Sequence, residues 1–272
     1  MQLEALHWNV DPVIVQIGHF PLKYYGILFT TGVALGYVIV RKAYLKAGKT
    51  LESLDSLATH VLIGIVAGAR LGHCLFYEPA YFLTHPVEMF LPIQKIAGSY
   101  QFTGYLGLAS HGGSIGVLLA IWWYAKKNKI NIWWLLDRMA VAAPLTAIFI
   151  RLGNFMNSEI IGEPTNSHFG VVFERVDQVV RHPAQLYEAA AYLLIFLLLQ
   201  RLDRSEQNRP QGLLFGWLLL LVFSARFCIE FFKINQVQFE ANLPLNMGQL
   251  LSVPFIAIGA AIICFSQYFP RT

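Results

Sequence analysis

The chain has 272 residues, of which 56% are hydrophobic and only 13% are charged. This composition lies outside the range of soluble globular domains and predicts a polytopic membrane protein. The formal net charge of +4 does not indicate a nucleic-acid partner, because basic residues are expected in the short cytoplasmic loops of any membrane protein.

Seven windows of the sequence are long and apolar enough to cross a bilayer as helices. In chain order they cover residues 24–44, 54–77, 104–125, 132–150, 185–202, 212–232 and 247–269. The sequence therefore predicts an all-α polytopic membrane protein with seven transmembrane helices. Asp137 and Arg138 lie inside the fourth window, and we expect them to pair with each other at the membrane interface.

Lysine and arginine are concentrated after the odd-numbered windows. The basic residues on that side are Arg41, Lys42, Lys46, Lys49, Lys126, Lys127, Lys129, Arg201, Arg204, Arg209 and Arg271. Because cytoplasmic loops carry the positive excess, we expect the N-terminus outside and the C-terminus in the cytoplasm. The first residues lack the pattern of a cleavable signal peptide, so the first window is expected to act as the insertion signal.

Two segments between the windows have patterns of their own. We expect them to form extracytoplasmic insertions near residues 78–103 and 157–184 of a single transmembrane domain that covers residues 1–272. The first mixes apolar and aromatic residues with prolines, which is typical of a segment in the membrane interface. The second contains an alternating run from His168 to Arg175, which predicts a small β-hairpin.

The cysteines and histidines indicate neither a disulfide framework nor a metal site. Cys74, Cys228 and Cys264 lie within predicted helices without paired spacing, so we interpret them as small packing residues. The eight histidines include neither a His-Glu-x-x-His run nor a paired ligand spacing. We therefore expect no metal and no cofactor.

The most polar motif stands at the end of the fourth window, in the run Arg151-Leu-Gly-Asn154-Phe-Met-Asn157-Ser-Glu159-Ile-Ile-Gly162. Such groups are costly beside a bilayer unless they bind something charged, so the motif predicts a functional site. Its arginine favours an anionic ligand, because the guanidinium pairs with phosphate or carboxylate oxygens.

The other windows contribute polar residues to the same predicted side of the membrane. These residues are Tyr25, Arg70, Tyr77, His111, His182, Gln185, Glu188, Arg226, Glu230, Asn246 and Gln249. The opposite halves of the windows are plain, which favours a cavity open to one leaflet over a transport path through the midplane.

Each of these residues also has a purely structural interpretation. Arg226 and Glu230 stand at i and i+4 and could neutralise each other. His111 could be a satisfied interior histidine, and the glycines after it could serve close helix packing. Tyr25 and Tyr77 could be interface aromatics, and Asn154 could cap a turn.

Four motifs follow one another along the chain in a specific order. They are His111-Gly-Gly-Ser-Ile-Gly116, the run from Arg151 to Thr165, Arg181-His-Pro-Ala-Gln-Leu-Tyr-Glu188 and Ala225-Arg226-Phe-Cys-Ile-Glu230-Phe-Phe. Together they resemble the prolipoprotein diacylglyceryl transferase family. The resemblance extends from Tyr24-Tyr25-Gly26 to the last window, which is nearly the whole chain.

The resemblance implies a multi-pass enzyme of the bacterial inner (cytoplasmic) membrane, with its active site toward the extracytoplasmic side. The family transfers the diacylglyceryl group of phosphatidylglycerol to the lipobox cysteine thiol of prolipoproteins. A thioether forms and glycerol phosphate is released, in the first step of bacterial lipoprotein maturation. The implied partners are phosphatidylglycerol, lipobox-containing prolipoproteins and membrane lipid.

The resemblance also implies which residues are functional. The expected catalytic residues are Tyr25, His111, Arg151, Asn154 and Arg226. The expected phosphatidylglycerol-binding residues are Arg151, Arg226, Asn154, Glu159, Gly162 and Glu230, with Arg70 and Tyr77 as supporting members.

The chemistry of these side chains suggests their roles. Arg151 and Arg226 are expected to clamp the lipid phosphate, and His111 is the candidate base for the thiol. Tyr25 and Asn154 would donate hydrogen bonds to the head group or the departing phosphate. Glu159 and Glu230 would orient the arginines, and Gly162 would allow a tight turn or close approach of the lipid.

Two positions depart from the family pattern. Ile150 stands where the family commonly has glycine, and Val222 stands where it often has a tyrosine, so a possible hydroxyl is missing from the site. The leading alternative function is a membrane transporter or channel for an anionic lipid or solute, which would continue the polar residues to the cytoplasmic side. A non-enzymatic membrane scaffold is the third interpretation.

Overall fold

The computed structural model describes residues 5–18, 20–96, 98–104, 107–205, 209–234 and 245–269. The chain divides into two compact units, one made of residues 1–43 and 136–272 and the other of residues 44–135. We refer to them as the first unit and the second unit.

Most of the described residues are helical. The helices are α1 (Tyr24–Lys46), α2 (Leu51–Phe76), α3 (Pro79–Thr84), α4 (Pro86–Phe90), α5 (Ser110–Asn128), α6 (Ile132–Met156), α7 (Ala184–Ser205), α8 (Leu213–Ile229) and α9 (Met247–Phe265). Short 3-10 turns over Glu230–Phe232 and Ser266–Tyr268 extend α8 and α9.

Among the described residues, six helices are long and apolar enough to cross a membrane, namely α1, α2, α6, α7, α8 and α9. This confirms a helical, polytopic membrane protein. The remaining predicted window, residues 104–125, corresponds to α5, which begins only at Ser110 and is not among the six. Its first turn contains Ser, His and Gly, and its last turn contains Lys126 and Lys127, so its mean hydropathy is low.

The fourth predicted window ended too early. Helix α6 continues to Met156, because Leu152, Phe155 and Met156 extend the apolar pattern into the polar motif. Phe155 is buried against Trp8 and Phe173. Arg151 and Asn154 therefore lie within the last turns of a helix rather than in the loop that follows it.

The second predicted insertion contains the expected hairpin. Strands β6 (Val171–Phe173) and β7 (Val180–Arg181) pair antiparallel, and β1 (Leu6–Trp8) joins β6 in parallel. The resulting sheet has the order β1-β6-β7. A separate hairpin, β2 (Val13–Ile17) with β3 (Phe20–Lys23), precedes α1.

The apolar core of the first unit lies among α6, α7 and α8. Its buried residues are Ala140, Val141, Tyr192, Ile195, Leu199 and Leu214. Helix α1 approaches α6 closely at Gly32, whose carbonyl oxygen accepts a hydrogen bond from Thr146 Oγ1 at 3.0 Å. Tyr192 is the one buried side chain of this core cluster with a polar group.

A charged group at the start of α6 overturns one prediction. Asp137 accepts hydrogen bonds from the backbone N–H groups of Gly212 and Phe215, each at 2.9 Å, and so caps the N-terminus of α8. Arg138 pairs with Asp203 at 2.8 Å, and Arg209 reaches the same Asp203 oxygen at 2.6 Å. The expected pairing of Asp137 with Arg138 is wrong, because each residue has a partner from another helix or loop. We call Asp137, Arg138, Asp203 and Arg209 the Asp137 cluster.

In the second unit, glycines hold α2 and α5 together. A Cβ atom at Gly112 would collide with the Gly68 carbonyl oxygen, and one at Gly116 would collide with that of Gly64. By contrast, a Cβ at Gly113 would meet its nearest atom, the Ala69 Cβ, at an ordinary 3.5 Å. The packing interpretation is therefore confirmed for Gly112 and Gly116, whereas Gly113 is not required for this close approach.

The first predicted insertion contains α3, α4 and a hairpin of β4 (Ile93–Ile96) with β5 (Ser99–Phe102). Glu88 joins these elements, since its carboxylate accepts from the Tyr81 hydroxyl at 2.6 Å and from the Lys95 backbone N–H at 3.0 Å. The Tyr81 hydrogen bond holds the pKa of Glu88 below its usual range. Cys74 packs in the same region against Phe82 and Met89, and all three cysteines are free.

Candidate active site

The end of α6 carries Arg151 into a group of buried charges. Its Nε lies 2.8 Å from Glu188 Oε2, and its Nη1 donates to Asn154 Oδ1 at 3.2 Å. The guanidinium also lies close enough to the Tyr192 hydroxyl to interact with it electrostatically. Both Glu188 and Tyr192 belong to α7, so that helix holds the arginine in a defined orientation.

The charge of Glu188 is balanced from a second direction. Glu188 is fully buried, and its Oε1 accepts from Lys233 Nζ at 3.0 Å. Lys233, with a side chain only 3% exposed, also donates to Glu230 Oε2 at 3.1 Å. Buried charges need such partners because their desolvation is expensive. We call Arg151, Asn154, Glu188, Tyr192, Glu230 and Lys233 the Arg151 cluster.

Asn154 connects the arginine to the loop after α6. Its Nδ2 donates to Glu159 Oε2 at 3.2 Å, and Asn157 Nδ2 donates to the other carboxylate oxygen at 3.0 Å. Tyr25 is close enough to interact electrostatically with both Glu159 and Arg151. A Cβ at Gly153 would lie 2.8 Å from the Tyr25 ring, so that glycine makes room for the tyrosine.

Gly162 lies where three segments of backbone meet. Its N–H donates to the His182 carbonyl at 2.9 Å, and the next residue, Glu163, donates to the Phe232 carbonyl at 2.8 Å. A Cβ at Gly162 would lie 2.5 Å from each of these carbonyl oxygens. A glycine is thus required here by close backbone packing beside Lys233. It is not required by the backbone conformation, because the φ angle of Gly162 is not positive.

Arg226 differs from every cation of the Arg151 cluster. It is half-buried in α8. Its side chain forms no ion pair or hydrogen bond with any residue that the structure describes. Its charge acts on the hydroxyl of Tyr192, which places it beside the cluster. Glu230 pairs with Lys233 instead, so the mutual neutralisation of Arg226 and Glu230 is not observed.

The second unit contains the other predicted site residues, Arg70, Tyr77 and His111. Arg70 is buried and donates to backbone carbonyls, including those of Glu88 and of Met89, the latter at 3.2 Å. Its guanidinium also lies 4.6 Å from the centre of the Phe82 ring. These contacts give Arg70 a structural role in joining α2 to α4. Arg70 also lines a cavity of about 310 Å³, together with His73, Tyr81 and Glu88.

Tyr77 and His111 are both exposed. Tyr77 ends α2 and stacks on His73 with the ring centres 5.7 Å apart. His111 lies in the first turn of α5, and no hydrogen bond of its imidazole occurs among the described residues. An exposed imidazole of this kind remains available to a substrate.

The sequence patterns indicate no role for Glu188, Tyr192 or Lys233. They favour Glu159 and Glu230 as the residues that orient the arginines, whereas the direct carboxylate contact of Arg151 is with Glu188. A signal for Glu188 was present, since it ends the motif that begins at Arg181. Tyr192 follows Glu188 by one helical turn. However, an aromatic residue in an apolar helix is normally interpreted as a core residue. Val222 packs against the core cluster that contains Tyr192.

Relatives of the chain are similar along almost its whole length. The sequence profile of the family described as prolipoprotein diacylglyceryl transferase matches residues 12–265. A Tolumonas auensis protein named phosphatidylglycerol–prolipoprotein diacylglyceryl transferase is 50% identical over 262 residues, which are 96% of this chain and 97% of the relative. Proteins of the same name from Bacteroides fragilis and Chloroherpeton thalassium are 44% and 40% identical, covering 97% and 95% of this chain and 96% and 93% of their own lengths. The chain therefore belongs to the prolipoprotein diacylglyceryl transferase family.

Proposed function

We propose that this protein transfers the diacylglyceryl group of phosphatidylglycerol to the lipobox cysteine thiol of prolipoproteins. The observation that carries the proposal is the presence of two arginines in an apolar surrounding: Arg151 is oriented by its partners, and Arg226 has no partner among the described residues. A cation left unpaired in a membrane span is costly. An anionic lipid phosphate would remove that cost.

The phosphate explains the need for two arginines. Phosphatidylglycerol carries one phosphodiester anion, and guanidinium groups donate to phosphate oxygens in a fixed planar geometry. When the bond between the glyceryl carbon and the phosphate oxygen breaks, its electron pair moves to that oxygen, and negative charge grows on glycerol phosphate. Arg226 supplies charge not already neutralised by a carboxylate, while Arg151 supplies oriented donors.

The new bond forms between the cysteine sulfur and the glyceryl carbon. A thiol has a pKa of about 8.5, so only a small fraction is thiolate at neutral pH. His111 is the candidate base that accepts the thiol proton. Its exposure and lack of a described hydrogen-bond partner support that role. The products are a thioether and glycerol phosphate.

The remaining predicted residues have supporting roles in this proposal. Asn154 and Tyr25 donate hydrogen bonds to the head group or the departing phosphate, and Glu159 orients Asn154. Glu230 and Gly162 act indirectly, through Lys233 and through the backbone beside it. Arg70 and Tyr77 keep their proposed role as supporting members of the phosphatidylglycerol-binding set.

The proposed setting is the bacterial inner membrane, with the chain acting as one transmembrane domain. Helix α5 would cross as a seventh span, because its glycines fit against α2 and small residues favour helix packing in membranes. The excess of lysine and arginine after the odd-numbered spans supports an outer N-terminus and a cytoplasmic C-terminus. Residues 78–103 and 157–184 would then lie on the extracytoplasmic side, where prolipoproteins present their lipobox.

One assay tests this proposal. Purified protein is incubated with phosphatidylglycerol vesicles and a lipobox peptide, and the peptide mass is measured. We expect a diacylglyceryl adduct with the Cys peptide, none with a Cys→Ser peptide, and release of glycerol phosphate. Folded protein that moves phosphatidylglycerol between vesicles without forming the adduct would instead be a transporter, and the proposal would be wrong.

A further inference from the structure

Helix α7 presents two polar side chains to Arg151 from consecutive turns. Residues four apart lie on the same face of a helix, and Glu188 and Tyr192 have that spacing. Glu188 Oε2 lies 2.8 Å from Arg151 Nε, and the Tyr192 hydroxyl is close enough to the same guanidinium to interact with it. Two contacts from one rigid helix define both the position and the rotation of the guanidinium plane.

The surroundings of Tyr192 make its hydroxyl unusual. Only 4% of the side chain is exposed, and its neighbours in the core cluster include Val141, Ile195 and Leu199. A phenylalanine would fill the same space without bringing a polar group into an apolar core. Burying a hydroxyl costs free energy unless a polar partner compensates for it, and the charged group of Arg151 is such a partner for the Tyr192 hydroxyl.

The contacts also leave part of the guanidinium available. An arginine has five N–H donors, of which one on Nη1 donates to Asn154 Oδ1, while Glu188 and Tyr192 lie against the same group. Donors that are not engaged keep a direction set by those contacts. Such preorganisation matters for catalysis because the donors need no rearrangement when charge develops on the leaving group.

We propose that Tyr192 is a positioning residue which, together with Glu188, fixes the rotation of Arg151 so that its remaining N–H groups face the lipid phosphate. Tyr192 itself does not touch the substrate. The inference rests on the proposed transferase function, and it concerns the departing phosphate rather than the initial capture of the lipid. Loss of the Tyr192 hydroxyl should therefore lower kcat more than it raises KM.

The test compares two buried tyrosines whose hydroxyls have different partners. Tyr192→Phe removes the hydroxyl beside Arg151. Tyr124→Phe removes an equally buried hydroxyl that contacts Ser53. Both variants are assayed with phosphatidylglycerol and the lipobox peptide, and their thermal unfolding is measured. We expect kcat to fall about tenfold in Tyr192→Phe, as for loss of one polar interaction with a charged group, with wild-type kcat in Tyr124→Phe.

A relocation variant separates positioning from packing. Val222 on α8 packs against the same core cluster, so Tyr192→Val combined with Val222→Tyr moves the hydroxyl to the neighbouring helix at nearly constant volume. Recovery of more than half of the lost kcat in this variant would support positioning. Equal kcat in Tyr192→Phe and wild type, or a loss matched by Tyr124→Phe, would overturn it. Failure of folded wild-type protein to form the adduct would overturn the transferase function itself.

Discussion

Two charged clusters lie at opposite ends of α6, and their buried charges are partnered in different ways. Asp137 and Arg151 are about 21 Å apart along the helix axis. In the Asp137 cluster, the charges of Asp137, Arg138 and Arg209 face backbone N–H groups or Asp203. The Arg151 cluster is also paired internally, but Arg226 stands beside it with no partner among the described residues.

This difference indicates which charges serve stability and which serve function. When a buried carboxylate caps a helix, its hydrogen bonds to the backbone N–H groups offset the cost of its desolvation and stabilise the fold. An unpaired cation in an apolar helix contributes nothing to stability unless a ligand supplies the missing anion. The two ends of α6 should therefore respond differently to mutation, the first mainly in stability and the second in both stability and turnover.

The largest effect is expected from breaking the Arg151 cluster at Lys233. Lys233→Met would leave Glu188 and Glu230 buried with one cation fewer between them. Removing one partner of a buried ion pair typically costs about 3–5 kcal/mol, and we expect that loss in the free energy of unfolding. Lys233→Arg keeps the charge and is the control. A Lys233→Met protein as stable as wild type in detergent would show that the ion pairs contribute nothing to the fold.

Arg226 should show the opposite behaviour. Arg226→Gln removes a cation that no described carboxylate neutralises and whose burial is itself unfavourable, so the free energy of unfolding should stay the same or rise slightly. Turnover should fall by about 10²–10³-fold, the usual effect of losing one donor to a developing anion. Adduct formation is measured at saturating phosphatidylglycerol. Arg138→Gln, from the Asp137 cluster, is the matched control, and it should lose stability but keep its turnover per folded molecule.

The contrast between the clusters was only partly predictable from the sequence. Hydropathy located the long helices, because a span needs about 20 apolar residues whatever its neighbours are. The motif around Arg151 identified the end of α6 at which the buried charges of the Arg151 cluster lie. Partner choice was different, since adjacent charges such as Asp137 and Arg138 suggest a local pair, whereas the actual partners lie 65 and more residues away in the chain. Such partners depend on tertiary packing, which local sequence patterns do not contain.

Gly162 illustrates the same limit. The sequence suggested a turn or room for the lipid, both of which are local explanations. The structure gives a tertiary one, because the carbonyls of His182 and Phe232 approach from separate parts of the chain. A glycine whose neighbours come from distant segments cannot be distinguished by sequence from a glycine in a turn.

Removing the cap at the other end of α6 tests the stability half of the comparison. Asp137→Ala leaves the N–H groups of Gly212 and Phe215 without their acceptor. Each unsatisfied buried donor costs about 1–3 kcal/mol, so we expect a loss of roughly 3 kcal/mol in the free energy of unfolding. Turnover per folded molecule, measured by adduct mass below the unfolding temperature, should not change. A catalytic defect without a stability defect would reverse the roles given to the two clusters.

A smaller effect is expected from displacing the backbone that carries Lys233. Gly162→Ala would place a Cβ 2.5 Å from the carbonyl oxygens of His182 and Phe232, and relief of such overpacking typically costs about 1–3 kcal/mol. Gly113→Ala, whose Cβ has an ordinary 3.5 Å contact, is the control and should retain wild-type stability and activity. If both variants melt together with wild type, close packing is not the reason for Gly162.

The smallest effect should come from Asp177 and Arg181, an ion pair of the hairpin outside the membrane spans. The two side chains are 2.6 Å apart, and Asp177 is 31% exposed. The hydrogen bond from Arg181 holds the pKa of Asp177 below its usual range. Because the folded state has the lower pKa, the pair stabilises the protein above the unfolded pKa of about 3.9, and this contribution disappears as the pH falls through the folded value. Solvent screening limits it to less than about 1 kcal/mol. The Asp177→Asn protein should therefore unfold at a slightly lower temperature than wild type at pH 7, and at the same temperature well below pH 3.9. A difference in unfolding temperature that stays constant across this pH range would exclude titration of Asp177 as the cause.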